Sequence, residues 1–321
     1  MATATSPPAA GGDRRAAPPV ALRDLPAASP ESPYAATILS WYAANARDLP
    51  WRRPGTSAWA VLVSEIMLQQ TPVARVLPAH AAWMARWPTP AALAAATPAD
   101  AVRQWDRLGY PRRAVRLHAI AQTLVSQHGG EVPPDAEVLL TLPGIGPYTA
   151  AAVASFAFAQ RHAVLDTNVR RVLARLVTGM AAPPAAASAA ERRLAESLLP
   201  AEPAVAARWA VAVMELGALV CTAARPSCAS CPVARQCAWR QAGSPAAPAR
   251  RAGPGYAGTD RQCRGRLLAV LRAAAGPVPA AALDAAWHDS GQRARALAAL
   301  VTDGLAAAGA DGSFALPGES G

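Results

Sequence analysis

From Tyr34 to about Trp239 apolar residues recur at helical spacing, and no stretch alternates apolar and polar residues long enough to predict a sheet. Proline and glycine gather at Trp87–Pro90, Gly129–Pro134 and Ala181–Pro184, which read as loops between helices. Trp59–Leu68 is apolar on every side, the pattern of a buried helix, and Glu65 interrupts it. Ala163–Leu165 is a short apolar run closed by Asp166. It leads into a helix whose apolar face is Val169, Val172, Leu173, Leu176 and Val177. Residues 1–30 are too poor in large apolar side chains to build a core and predict a disordered tail.

A Pro/Gly/Ala-rich linker covers 243–260, and 261–317 predicts a small separate unit. Helices are expected around Arg264–Ala274, Pro279–Trp287 and Gln292–Asp303, followed by a hairpin that turns at Asp311–Gly312. Three helices and a terminal hairpin predict a winged-helix-like unit. A helical cap packed on the main body fits the same pattern. The chain as a whole reads as all-α.

At 321 residues the chain suggests about two domains, and 52% hydrophobic composition supports a substantial core. No apolar run reaches the ~18 residues that span a bilayer, and no export signal follows Arg14–Arg15, so a cytoplasmic protein is expected. The net charge of +10 points to a polyanionic partner, with nucleic acid the first candidate. The chain contains no lysine, so every fixed cation is an arginine and lysine Schiff-base chemistry is excluded.

Cys221, Cys228, Cys231 and Cys237 can wrap one metal centre, and thiolate selects zinc or an iron–sulfur cluster. Zinc sites usually pair their cysteines as two doublets. Here only Cys228 and Cys231 form one, which leans towards iron–sulfur. Cys263 stands apart.

Leu142–Thr149 joins two helical stretches, Asp135–Leu140 and Tyr148–Ala159, through Pro143, Gly144, Gly146 and Pro147. The glycines permit close backbone approach, Pro147 suits a first helical position, and free N–H groups there would face a phosphate. This is the pattern of a helix–hairpin–helix DNA clamp.

Glu65 in an apolar helix should hold its proton near neutrality, which suits a general acid; a narrow solvent stripe explains the same pattern. Asp166 is an ordinary helix N-cap, a position that also keeps a carboxylate ionised. One protonated and one ionised carboxylate is the arrangement that cleaves a glycosidic bond.

Together the cysteine spacing, the Leu142–Gly146 hairpin, Asp166 and the Ser64–Thr71 segment resemble the endonuclease III superfamily of DNA glycosylases. Within it they resemble the A/G-specific adenine glycosylases (MutY type), over roughly residues 34–242. The resemblance implies a two-lobed helical fold. One lobe is a helical module at 54–162; the other combines 34–53 with 163–242 and holds one 4Fe–4S cluster on the four cysteines. It implies a monomer, associated with the bacterial nucleoid, that excises adenine mispaired with 8-oxoguanine or guanine from double-stranded DNA.

On this resemblance Glu65 protonates the adenine, Asp166 stabilises the sugar cation, and Asn168 orients Asp166 or water. Tyr148 stands where bifunctional relatives keep a lysine. DNA contacts fall to Gln69, Gln70, Thr71, Leu108, Tyr110, Gly144, Gly146, Arg47, Trp51 and Arg52. Three departures stand out: Pro111 where a second Tyr is frequent, Val211 where a polar residue is frequent, and too few residues after the linker for the family's usual 8-oxoguanine-reading domain. A thymine or uracil mismatch glycosylase and a non-enzymatic DNA-binding regulator are the competing readings.

Overall fold

The computed structural model describes residues 32–247 and 255–319; the expected N-terminal tail and part of the expected linker lie outside these. Helices α1 (Ala35–Asn45), α2 (Ala58–Leu68), α3 (Val73–Arg86), α4 (Pro90–Ala94), α5 (Pro98–Trp105) and α6 (Arg112–Gln127) come first. The hairpin helices α7 (Ala136–Thr141) and α8 (Pro147–Phe158) follow. Then come α9 (Thr167–Leu173), α10 (Ala189–Ser197), α11 (Pro203–Leu219) and α12 (Ala238–Gln241).

Side-chain caps fix where the helices that carry the candidate chemistry begin. Ser57 accepts from the Ala60 N–H and starts α2, Asp135 starts α7, and Asp166 starts α9. Pro147 sits in the first turn of α8 behind Gly146, as expected. After α9 the backbone widens into a π-type turn over Ala174–Thr178, which the apolar spacing did not predict.

Two large cores organise these helices. One gathers α2 to α8 around Trp83, Trp105, Leu117 and Leu124. The other packs α1 against α9, α10 and α11, with Val233 and Cys237 from the cysteine segment. The first core also takes in two residues from before α2. Leu49 and Trp51 belong to the first core, although the sequence assigned them to the second lobe.

The C-terminal unit contains α13 (Asp260–Ala273), β1 (Val278–Pro279), α14 (Ala280–Asp284), α15 (Ser290–Thr302), β2 (Ala307–Ala308) and β3 (Ser313–Ala315). The strands form an antiparallel sheet in the order β1-β3-β2, with Val278 opposite Phe314 and Ala307 opposite Ala315. This is a winged-helix arrangement, and β1 is the strand that sequence patterning missed. A two-residue strand is too short to show alternation.

The unit is not free-standing. Cys263, Leu267, Leu268 and Leu271 continue the core of the helical lobe. Arg103 donates to the Ala274 carbonyl at 2.7 Å and pairs with Glu319, while Arg272 donates to the Asp106 carbonyl. Both sequence readings of the unit therefore hold at once: a winged helix that is also a packed cap.

Candidate active site

Helix α2 lies against α8, and nine of its eleven residues are buried, Glu65 among them at 4% exposure. The solvent-stripe reading of Glu65 is thereby excluded. The Tyr148 hydroxyl, from the first turn of α8, donates to Glu65 Oε2 at 2.9 Å. Burial pushes the Glu65 carboxyl up to about 7; the Tyr148 bond and the Arg52 charge pull the other way and lose. Burial also raises the Tyr148 phenol well above its ordinary value, so that hydroxyl remains a donor.

Asp166 caps α9, and both of its oxygens are engaged. Oδ1 accepts from the Val169 N–H at 2.6 Å, and Oδ2 accepts from Asn168 Nδ2 at 2.8 Å. The sequence expectation was that the helix start keeps this carboxylate ionised. Burial raises its pKa, and these bonds pull it back down in part. The two carboxylates share one field, since the Asp166 charge raises Glu65.

Asn168 is itself held. Its Oδ1 accepts from Arg171 Nη2 at 2.7 Å, and Arg171 Nε donates to the Cys221 carbonyl at 2.7 Å. Gly217 on α11 makes this packing possible. A Cβ there would stand 2.7 Å from Asn168 Cβ and 2.9 Å from its carbonyl oxygen.

Arg47, Trp51 and Arg52 were expected at the base pocket, and the structure gives them separate roles. Glu215, fully buried on α11, accepts from Arg47 Nε and Nη2 at 2.7 Å each and from Arg52 Nη1 at 2.9 Å. The two guanidinium groups hold its carboxyl down at about 2 against the upward pull of burial. Trp51 is buried, edge-on to His80. Val211 is likewise buried core. Sequence reading missed Glu215, although α11 offered the same signal that marked Glu65, a lone carboxylate in an apolar helix.

Gln70 and Tyr110 adopt left-handed backbone with φ of 55° and 48°. For non-glycine residues this costs about 1–2 kcal/mol each. Buried Arg113 secures both turns. Its Nη1 donates to the Ile66, Met67 and Gln69 carbonyls at 2.9, 2.8 and 2.6 Å. Its Nη2 donates to Thr71 Oγ1 and the Gly109 carbonyl at 2.9 Å each. The result leaves Tyr110 51% exposed while Leu108, at 5%, packs into the core. Leu108 and Thr71 support from within the loops that carry Tyr110 and Gln70. Gln69 turns inward, donating to Thr149 Oγ1 at 3.3 Å.

In the hairpin Gly144 has φ of 73°, and a Cβ there would stand 2.9 Å from Arg116 Cδ. Gly146 is extended at φ −106° and open around its Cα, so backbone geometry makes no demand for glycine there.

Cys221, Cys228, Cys231 and Cys237 are free thiols that line one small hollow of about 20 Å³. Among the described residues no three His, Cys, Asp or Glu side chains converge on a single-ion site. Four thiols on one hollow are a donor set that fits a soft, thiolate-bound metal centre. Buried Arg175 binds the segment together: it donates to the Thr222 and Ala223 carbonyls at 2.7 and 3.0 Å, and its guanidinium lies 4.8 Å from the Trp239 ring centroid.

Residues 63–198 match the HhH-GPD superfamily of base excision DNA repair proteins. The adenine DNA glycosylase of Mycobacterium tuberculosis is 55% identical over 285 residues, which cover 88% of this chain and 93% of that one. The human adenine DNA glycosylase is 44% identical over 215 residues, 64% of this chain and 39% of the human protein. The solved structure of a thermostable thymine-DNA glycosylase superposes with a TM-score of 0.57 at 25% identity, covering 65% of this chain and 95% of that one.

Two helical lobes, a helix–hairpin–helix, a buried Glu65 and a half-buried Asp166 fit a base excision glycosylase, an enzyme that acts on N-glycosyl bonds. The chain belongs to the HhH-GPD superfamily and, within it, to the adenine DNA glycosylases.

Proposed function

We propose that the protein is a monofunctional glycosylase that hydrolyses the N-glycosidic bond of adenine mispaired with 8-oxoguanine or guanine in double-stranded DNA. One observation carries the reading: a buried Glu65 with its pKa near 7, bonded to Tyr148, in the same field as Asp166. The target base is flipped out of the stack before the chemistry begins, with Gln70 and Tyr110 at the loops that enter the duplex.

Protonated Glu65 donates to a ring nitrogen of the adenine, so the base leaves neutral instead of anionic. Positive charge then develops on the sugar. Both Asp166 oxygens accept N–H bonds, so of the two acids it is the one that carries negative charge, opposite the cation. Asn168 holds the Asp166 carboxylate, and water completes the hydrolysis. Tyr148 bonds Glu65 and provides no amine, and the chain has no lysine, so no Schiff base forms and the strand is left uncut.

The four cysteines would hold a 4Fe–4S cluster. When bound, it ties residues 221–237 together through iron–thiolate bonds. The protein acts as a monomer on chromosomal DNA in the cytoplasm, where its substrate lies. No helix among the described residues is long and apolar enough to cross a membrane.

The test is incubation with an A:8-oxoguanine duplex followed by alkali. Release of adenine with alkali-dependent cleavage is expected. Action only at T:G or U:G would move the protein to the thymine and uracil branch, to which the fold likeness at 25% identity also points.

A further inference from the structure

The chemistry above uses no residue beyond Cys237, which leaves the C-terminal unit unassigned. Where this unit docks, it closes one wall of a groove of about 830 Å³; the Gln69–Gln70 turn and the Gly109–Tyr110 loop line the other wall. Seven of the lining residues are arginines, and the one acidic residue is Asp303.

Asp303 is already engaged. It holds Arg112 of the helical lobe at 3.2 Å and pairs with Arg264 of α13, fixing the two walls together. Arg113 directs its donors at backbone and Thr71. Arg107 and Arg116 on one wall and Arg261 on the other are exposed, with no ion pair among the described residues. Arg261 lies over the ring of Tyr256, which is 54% exposed at the rim. Packing the unit against the lobe thus gathers like charges that repel one another, an arrangement that only a polyanion relieves.

We infer that this groove holds the sugar–phosphate backbone of the DNA strand complementary to the one that loses its base. Arginine forks contact its phosphates, with Tyr110 and Tyr256 at the edges. The C-terminal winged helix is then a second DNA-binding element. The choice of strand rests on the glycosylase reading. The strand with the extruded base must pass Glu65 and Asp166, and neither lines the groove.

The experiment uses the full-length protein and a short duplex with one A:G mispair, with Kd measured by fluorescence anisotropy over a range of salt. Arg107→Glu and Arg261→Glu should each weaken binding tenfold or more and lower the slope of log Kd against log salt by about one for each phosphate left without its arginine. Arg266→Glu makes the same charge change on the same helix outside the groove and should stay within about twofold of the parent. Uncharged methylphosphonates, placed one strand at a time, then identify the strand. Neutral links in the complementary strand should weaken the parent protein and leave Arg261→Glu unchanged. Neutral links in the adenine strand should weaken both alike.

If Arg107→Glu and Arg261→Glu bind as Arg266→Glu does, or if their losses couple to phosphates of the adenine strand, the inference is overturned. Parent protein that shows the expected binding pattern yet releases no adenine would overturn the glycosylase reading and uphold the groove. Release of adenine alongside indifferent variants would do the reverse.

Discussion

The Tyr148 hydroxyl donates to Glu65 Oε2 at 2.9 Å, linking the first turn of α8 to the interior of α2. The bond favours the charged carboxylate, and burial favours the neutral one. Burial wins, and the pKa comes to rest at about 7.

The rate of excision in single turnover should therefore fall tenfold per unit above about pH 7, and fall again in acid where Asp166 takes up its proton. Glu65→Gln should lower that rate by about 10²–10⁴-fold while duplex affinity is kept. Stability should move the other way. A carboxyl with a raised folded pKa contributes fully below its unfolded value of 4.5, and the contribution is lost as pH rises through about 7. At pH 8 Glu65→Gln should be more stable than the parent by roughly 1–3 kcal/mol in urea titrations. Normal turnover by this variant would remove Glu65 from the mechanism.

Tyr148→Phe deletes the one hydrogen bond that lowers the Glu65 pKa. The descending limb of the pH–rate profile should move to higher pH. A limb that stays in place or moves down would mean the hydroxyl does not act on the Glu65 charge.

Glu215 behaves in the opposite sense. Its folded pKa is depressed to about 2, so its contribution is present above 4.5 and lost as pH falls towards 2. Glu215→Gln should cost roughly 2–4 kcal/mol at pH 7, because Arg47 and Arg52 lose their partner. The difference from the parent should shrink on acidification. Parallel acid-unfolding curves for the two proteins would contradict the clamp.

Gly217→Ala places a methyl 2.7 Å from Asn168 Cβ, where α9 and α11 pack. Overpacking of this kind costs about 1–3 kcal/mol. Because Asn168 bonds Asp166, the excision rate should fall along with the melting temperature. A stability loss with an unchanged rate would show that the carboxylate is positioned independently of α11.

The purified protein should be brown, with absorbance near 400 nm, as thiolate-bound iron–sulfur requires. Chelating out the metal should expose residues 221–237 to proteolysis while α2 to α8 stay protected, because the two regions belong to separate cores. A colourless protein with one equivalent of zinc would reverse the cofactor assignment.

Much of the site was legible along the chain because its chemistry sits in local patterns. Glu65 stood out against an apolar helix, Asp166 closed an apolar run before a helix, and the hairpin and cysteines carried their own spacing. Arg113 was not legible. An arginine four residues after Gly109 reads as a solvated charge until the α2 terminus and the Tyr110 turn meet around it. Gly217 was equally silent, because a glycine in an Ala-rich helix shows its purpose only when α9 packs against it.

The sequence alone determined the helices, the hairpin, the cysteine spacing and the places of Glu65 and Asp166 on their helices, since each depends on residues a few positions apart. Tertiary structure decided that Glu65 is buried and not on a solvent stripe, that Glu215 binds two arginines some 165 residues away, and that the winged helix docks beside Tyr110. Those outcomes depend on desolvation and on which distant surfaces meet, quantities set by packing in three dimensions and by no local pattern.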